Sequence, residues 1–498
     1  MTYVIGVDLG TSAVKVLLVN KDGEVLKTVS KTYPIIQSKP GYSEQDPDEW
    51  VKQTKEALKE LFNTTTIDRE AIEGLSFSGQ MHGLVLLNEA DDVLRPAILW
   101  NDTRTTEQCE RINDTIGETK LLEITKNKAL EGFTLPKLMW VKENEPHLYK
   151  EIQTFLLPKD YVRFRITGQK HIDYSDAAGT LMFDIEKQVF SKEILGKLDI
   201  NMNICPEPIA SHEEISIIDT SFIEETGLPR NIRIFAGGAD NACGAIGAGI
   251  VQKDKTMCSI GTSGVVLSYE DEANKDYSGK VHYFNHGVPN KYYTMGVTLS
   301  AGSSLTWFKD RFLPEESFES LLVHLDQIKP GANGLLFTPY LFGERTPHAD
   351  SNIRASFIGL DNSHTTEHLI RALIEGITFS LNETIEMFRS SGKKINEIVS
   401  IGGGAKNDTW LQIQANIFNA EVIKLSTEQG PGMGAAMIAA YGCDWFTTIE
   451  NCAKVFIKEE KRFIPDKKTV ALYQDLFNIY QKVYTQTKLL NDYLIDYR

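Results

Sequence analysis

Two short segments, one in each half of the chain, constrain the fold more than any other feature of the sequence. Asp8-Leu9-Gly10-Thr11-Ser12 continues the apolar run that begins at Tyr3 and leads into a second run, Val14 to Asn20. Ser259-Ile260-Gly261-Thr262-Ser263 stands in the same way between Thr256 to Ile260 and Val265 to Tyr269. A strand, a Gly-Thr-Ser tip and a returning strand, repeated in both halves, point to an internal duplication. The chain has 498 residues, too many for one ordinary core, so two α/β units are expected, divided at 1–249 and 250–498.

The first unit opens as three antiparallel strands, because Lys21-Asp22-Gly23-Glu24 is a hairpin turn and Val25 to Thr32 returns beside the second strand. Asp46-Pro47 starts a helix with Trp50, Val51, Ala57, Leu58, Leu61 and Phe62 on its apolar face. Leu75 to Ser78 is a strand that ends in Gly79-Gln80-Met81-His82-Gly83. Ala97 to Trp100 runs into Asn101-Asp102-Thr103-Arg104, which reads as a helix cap with a surface ion pair. Residues 134–166 read as mostly helical and 205–230 as connection. Ile232 to Ala236 is a buried strand, followed by Gly237-Gly238-Ala239-Asp240-Asn241 and a small-residue helix over 242–249. In the second unit, helices are expected over Ser303 to Phe312, about 365–390, from Gly430 through Ala440, and from about 469.

Composition narrows the partners. With 52 basic and 68 acidic residues the net charge is −16, so neither nucleic acid nor an anionic membrane is an expected partner. Any phosphate must be held by local amides, a metal or a single cation. The six cysteines are scattered, without a C-x-x-C pair, so neither a zinc site nor a disulfide framework is expected. No leader pattern and no apolar run of about 18 residues is present, so the expected location is cytoplasmic.

The motifs supply candidate chemistry. Amides and hydroxyls at two Gly-Thr-Ser tips suit a polyphosphate held between two domains. Asp8 precedes the first tip and suits a divalent cation, and Lys15 is the nearby cation. There is no G-x-x-x-x-G-K-[ST] segment, which excludes a Walker-type site. Gly402-Gly403-Gly404 reads either as a backbone that lets adenosine approach or as a tight turn. Gly430-Pro431-Gly432-Met433-Gly434 has two readings, a backbone that lets a ligand approach or helix packing, and packing is preferred. His82 reads either as a sugar contact or as a satisfied structural histidine, and Asp240 as a helix cap or a reactive carboxylate.

In order and spacing the chain resembles the FGGY carbohydrate kinases. The resemblance is carried by the segments around Asp8, Gln80-Met81-His82-Gly83, Trp100 to Arg104, Gly132-Phe133-Thr134, and Asp173-Tyr174-Ser175-Asp176-Ala177. It continues through Gly238-Ala239-Asp240-Asn241, Ser259 to Ser263, Ala301 to Trp307, Gly343-Glu344-Arg345-Thr346-Pro347-His348 and Gly402 to Lys406. It covers about residues 3–445. It implies two duplicated actin-like (ribonuclease H-like) α/β domains with an interdomain cleft, the N-terminal one holding sugar and the first phosphate loop, the C-terminal one ATP. It implies ATP and Mg²⁺ as cosubstrate and cofactor, and a small sugar as acceptor, D-xylulose before ribulose, glycerol or gluconate. Asp240 falls on the family's catalytic base. Met81, His82, Asp240 and Asn241 fall on sugar contacts, and Asp8 on the metal side. Thr11, Ser12, Lys15, Gly261, Thr262, Gly302, Thr306, Gly403, Gly404 and, less closely, Asp408 fall on the nucleotide side. A homodimer is compatible with this reading. The alternatives are an actin-like nucleotide switch, which needs no base facing a sugar, and a sugar-sensing regulator, for which the strand beginning at Tyr3 leaves no room for a DNA-binding extension.

Overall fold

Tyr3–Leu9 is apolar at almost every position, and all of its residues but Asp8 are buried. Such a strand needs cover on both faces and belongs inside a sheet. The computed structural model of the chain, which describes residues 1–215, 220–427 and 429–498, places it there. Across the first sheet the strands run Val25–Thr32, Ala13–Asn20, Tyr3–Leu9, Ile72–Gly79, Arg233–Phe235 and Glu214–Ile215. The first three are mutually antiparallel, the next two join in parallel, and the last is antiparallel.

The second sheet repeats this order and these senses with Tyr292–Thr298, Gly264–Glu270, Thr256–Ile260, Glu397–Gly402, Glu421–Leu425 and Glu459–Phe463. His282–Asn285 adds a further strand at its edge. The duplication inferred from two tripeptide tips thus extends to five strands that agree in chain order, position and sense, while the sixth precedes its neighbour in the chain in the first sheet and follows it in the second.

One face of the first sheet is covered by the helix Pro47–Asn63, capped by Asp46, which buries the six apolar residues expected of it. The other face is covered by Asp240–Gly247 and by Pro431–Gly442, a helix from the second half of the chain. Small residues make this approach possible. A Cβ on Gly6 would stand 2.2 Å from the Gly432 carbonyl oxygen, and one on Gly432 would stand 2.4 Å from Leu17 Cδ1. The packing role expected of Gly430 to Gly434 is thus what the structure shows.

Asp240–Gly247 has two partners. Cys243 and Ile246 pack with the first sheet and the helix Pro431–Gly442. Ala242 and Ala245 belong to the apolar cluster that also holds Met257, Leu267, Tyr293 and Met295 of the second sheet. The helix is a spacer between the halves, which is why it consists of small residues. The far face of the second sheet carries Thr366–Ser390, Asp408–Phe418 and the C-terminal helix Lys467–Tyr493. The last is fixed by a buried triad in which Arg371 donates to Tyr473 Oη (2.6 Å) and Tyr473 donates to Glu375 (2.6 Å).

Three readings need correction. The helix after Trp100 starts at Thr106 with Thr105 at its N-cap. Asp102 and Arg104 are not a surface pair. Asp102 is buried and accepts from Ser43 N at 2.6 Å and from Arg104 Nη2 at 2.7 Å, and the guanidinium stacks 3.6 Å from the Tyr42 ring centroid. Asp240 is not a helix cap. Ala239 holds the N-cap position at φ −53, and Asp240 is the first helical residue. Within 205–230 the structure has short strands as well as loops, and residues 216–219 lie outside the described residues.

Candidate active site

The two tips are built alike and held differently. At the first, Gly10 N donates to Ala13 O (3.0 Å) and Tyr33 Oη donates to Gly10 O. Gln45 Nε2 donates to Thr11 O (2.7 Å), and Trp100 Nε1 donates to Thr11 Oγ1 (2.9 Å). Thr11 is half-buried and Ser12 exposed. At the second, Gly261 N donates to Ser263 O (3.0 Å), while Gly302 N reaches Gly261 O (2.8 Å) and Ser303 N reaches Thr262 O (3.0 Å). The helix Gly302–Phe312 therefore starts against the tip, and its N-terminus brings a partial positive charge beside it. Gly402 pairs with Ile260 at the end of the same ladder, and a Cβ on Gly404 would stand 2.8 Å from the Ile260 side chain.

Gly261, Thr262, Gly302, Gly403 and Gly404 thus meet at one end of the second sheet. Thr306 lies one turn into the helix, exposed, donating to Gly302 O at 3.1 Å. Asp408 differs from these. Its carboxylate is taken up by Lys461 (2.6 Å) and Lys424 (3.5 Å).

The acidic groups lie at the ends of adjoining elements of the first sheet. Asp8 faces Lys15 across the antiparallel ladder and Ser78 across the parallel one. Lys15 Nζ lies 3.5 Å from the Gln429 carbonyl. Burial raises the Asp8 carboxyl to about 6, against the pull of Lys15 and Ser78. Gly238–Ala239 pairs with the end of Ile72–Gly79, which delivers Asp240 to the same edge. Burial raises Asp240 to about 7, helped by the negative charge of Asp8. Asn241 holds it from the other side, its backbone N and Nδ2 donating to Oδ1 at 2.7 and 3.0 Å.

Asn241 Nδ2 also lies 3.5 Å from Met81 Sδ, and Tyr293 Oη lies 3.9 Å from the same sulfur. His82 adopts φ +67. Its Nδ1 lies 2.6 Å from Gly179 O and must donate to it, which leaves Nε2 as a lone-pair acceptor. Burial and the cations Lys137 and Arg345 push His82 down to about 3, so the ring stays neutral. It lies among Phe133 (4.8 Å between centroids), Phe284 and, beyond them, His282. Lys137 is fully buried and donates to the carbonyls of His82 (2.9 Å) and Gly132 (2.7 Å).

Met81, His82, Asn241 and Asp240 are therefore neighbours. Tyr293, Phe133, Phe284, His282 and Lys137 were given no role from the sequence. The aromatic runs at 282–284 and 292–293 were the available signal, but nothing in a linear pattern ties them to residue 82.

Behind the Asp240 turn lies a fully buried charged cluster. Lys159 Nζ contacts Asp160 (2.6 Å), Asp173 (2.8 Å) and Asp176 (2.9 Å), and Arg163 contacts Asp160 at 2.7 Å. The three carboxylates lie close enough together to hold a metal, but the ammonium of Lys159 already occupies their centre. Burial raises Asp176 well above the usual carboxylate range.

Comparison with known proteins agrees with this geometry. The model for the FGGY family of carbohydrate kinases, N-terminal domain, matches residues 3–247, and that for the C-terminal domain matches residues 256–443. The xylulose kinase of Bacillus subtilis is 58% identical over 498 residues, all of both chains. Among solved structures, a ligand-bound xylulose kinase from Lactobacillus acidophilus superposes with TM-score 0.93 at 27% identity, covering 98% of this chain and 99% of that one. A gluconate kinase from the same organism superposes with TM-score 0.92 at 28% identity, covering 98% of each. The chain belongs to the FGGY family of carbohydrate kinases.

Proposed function

We propose that the protein transfers the γ-phosphoryl group of ATP to the terminal hydroxyl of D-xylulose, giving D-xylulose 5-phosphate and ADP, with Asp240 as general base. The observation that carries the mechanism is the convergence of a half-buried carboxyl, raised to about 7, with Met81 and Asn241 at the sheet end that also carries the first tip. The D-xylulose assignment rests on full-length similarity to proteins named xylulose kinases.

In this reading Asp240 accepts the hydroxyl proton as the oxygen attacks the γ-phosphorus. Asn241 fixes the Oδ1 side of the carboxylate and leaves Oδ2 for the proton. His82 Nε2 accepts from a sugar hydroxyl, and Met81 and the aromatic groups line the carbon chain. Thr11, Ser12, Gly261 and Thr262 hold the phosphates, and Gly302, Thr306, Gly403 and Gly404 lie on the adenosine side. For Asp408, engaged by two lysines, the nucleotide role requires that a ligand displace one of them. Phosphoryl transfer relies mainly on positioning and charge stabilisation.

The residues present suit Mg²⁺. Asp8 offers a hard oxygen donor whose anion burial disfavours, so a cation there relieves its own cost. Held at Asp8, Mg²⁺ would supply charge neutralisation for the transferring group. We place the division of the chain at 249/250, since each half then carries one copy of the shared five-strand order. A cytoplasmic location is supported by six free cysteines, and among the described residues no helix is long and apolar enough to cross a membrane. The homodimer stays part of the proposal.

A kinase for another sugar or sugar acid is the second reading, favoured by the gluconate kinase superposition. Against a sugar acid, His82 is held neutral. The test is ADP release with D-xylulose, D-ribulose, glycerol and gluconate, and with no sugar. Release that depends on D-xylulose supports the proposal, a preference for another acceptor replaces its substrate, and equal release without sugar returns the chain to the nucleotide-switch class.

A further inference from the structure

We propose that Ser175, held by Asp173 and the buried Lys159 cluster, is a positioning residue that aims Asp240 into the cleft, an inference that rests on Asp240 being the base. The segment Ala236 to Asp240 is gripped at both ends by one polar network. At its start, Arg163 Nη1 donates to Ala236 O (2.7 Å) while contacting Asp160 at the same distance. At its end, Ala239 N, one residue before the base, donates to Ser175 Oγ at 2.9 Å. That hydroxyl donates to Asp173 Oδ2 at 2.5 Å, and the other oxygen of Asp173 contacts Lys159 at 2.8 Å. The chain of contacts runs from Lys159 to Asp173, to Ser175, to the backbone that carries Asp240.

The cost of burying five ionisable groups is large, and a hydrophobic cluster of equal volume would stabilise the domain as well. Their arrangement has a use that packing does not explain. Among the described residues, Arg163 reaches out of the cluster to Ala236 O at the start of the Asp240 turn and to His171 O, while Asp173 caps the helix Tyr174–Ala178 through Ser175 N and also accepts from the hydroxyls of Ser175 and Ser211. Pairing of Gly238 and Ala239 with Ser78 and Gly79 sets the course of the turn. The bond from Ala239 N to Ser175 adds, just before the base, a charge-assisted chain of hydrogen bonds with a fixed direction. Ser175 is buried, and a Cβ on Gly238 would stand 3.3 Å from its Oγ, so the glycine lets the hydroxyl approach the turn closely.

Ser211 provides a matched control. It is buried and its hydroxyl donates to the same Asp173 Oδ2 at 3.0 Å, but that hydroxyl bonds no backbone group of the turn. Ser175→Ala and Ser211→Ala each remove one buried hydroxyl from one carboxylate. The expected result is a fall in kcat of about 10–100-fold for Ser175→Ala, with the KM values for ATP and D-xylulose little changed. Ser211→Ala should keep kcat within about twofold, well inside the cost of a misplaced group. Placed in the Asp240→Asn background, Ser175→Ala should cause no further loss, because there is no base left to aim.

Equal kcat losses in the two serine variants, a loss that persists beside Asp240→Asn, or an unchanged kcat in Ser175→Ala would each overturn the proposal. Ser175→Cys, which keeps the volume and weakens the acceptor, replaces Ser175→Ala if melting shows that the latter does not fold. Asp240→Asn retaining near-normal turnover is a separate outcome, and it removes the base assignment itself.

Discussion

Gly434 lies so close to the backbone of Cys243 that a Cβ on it would stand 1.8 Å from the Cys243 carbonyl oxygen. Cys243 is in the first turn of the helix that Asp240 begins. The crossing of these two helices thus sets where the base helix lies, and no side chain at 434 fits without moving it. Gly434→Ala should lower stability by about 1–3 kcal/mol or more, read as a lower urea midpoint at unchanged slope. Turnover should fall at temperatures where the variant is still folded. A midpoint equal to that of the parent would mean that the helices can separate freely.

Asp240→Ala should lower kcat by about 10²–10⁴-fold, the usual worth of general-base assistance. Affinity for ADP, measured by calorimetry, should change little, because the nucleotide-side tips do not contact this carboxylate. Turnover close to that of the parent would sink the assignment.

The raised pKa gives two linked expectations. Burial and the charge of Asp8 favour the protonated form of Asp240 up to about 7, so kcat/KM should fall tenfold per pH unit below that value. A flat profile between pH 5.5 and 8 would contradict this, those limits being chosen as about a unit or more to either side of the raised value. For stability the sign is opposite. The folded state holds this proton more tightly than the unfolded state does, so stability is lost as pH rises from the ordinary carboxylate range through about 7. Asp240→Asn should therefore melt higher than the parent at pH 8 and gain less at pH 5, an activity-for-stability exchange found at many active sites.

His82→Ala should raise the KM for D-xylulose and leave the KM for ATP unchanged. The ring has one nitrogen committed to Gly179 and one left over, and the free one is the group the sugar would use. An unchanged sugar KM would leave His82 as a structural residue.

Asp8→Asn should raise the Mg²⁺ concentration needed for half-maximal rate and weaken MgADP binding more than binding of metal-free ADP. Equal weakening of both would move the metal role elsewhere.

Much of this was legible in the sequence because it is local. Strand Thr256–Ile260, the helix from Asp46-Pro47 and both tips follow from short patterns of apolar spacing, turn residues and caps. The Asp102–Arg104 pair was misread because burial depends on Tyr42, Glu44 and Trp140, which reach it from elsewhere in the chain. Asp240 suggests a cap because Asp favours that position, but its backbone is already helical and its carboxylate faces Asn241. The wall around His82 was invisible for the same reason, since Phe284 and Tyr293 come from the edge of the other sheet. Local chemistry marks which residues matter, and long-range pairing decides what surrounds them.

The helix Pro431–Gly442 has a consequence for synthesis. The face of Tyr3–Leu9 and Ala13–Asn20 that it covers stays bare after residue 249 has been made. At about 5–20 residues per second the covering helix follows about 10–40 s later. During that interval the nascent first half exposes Val4, Leu17 and Val19, so it should recruit holding chaperones or stay loosely packed on the ribosome. A fragment ending at 249 should be aggregation-prone, and adding a peptide of residues 429–445 should improve its solubility. The first residues translated are thus among the last to be sealed, and the completeness of the chain is checked by its own core.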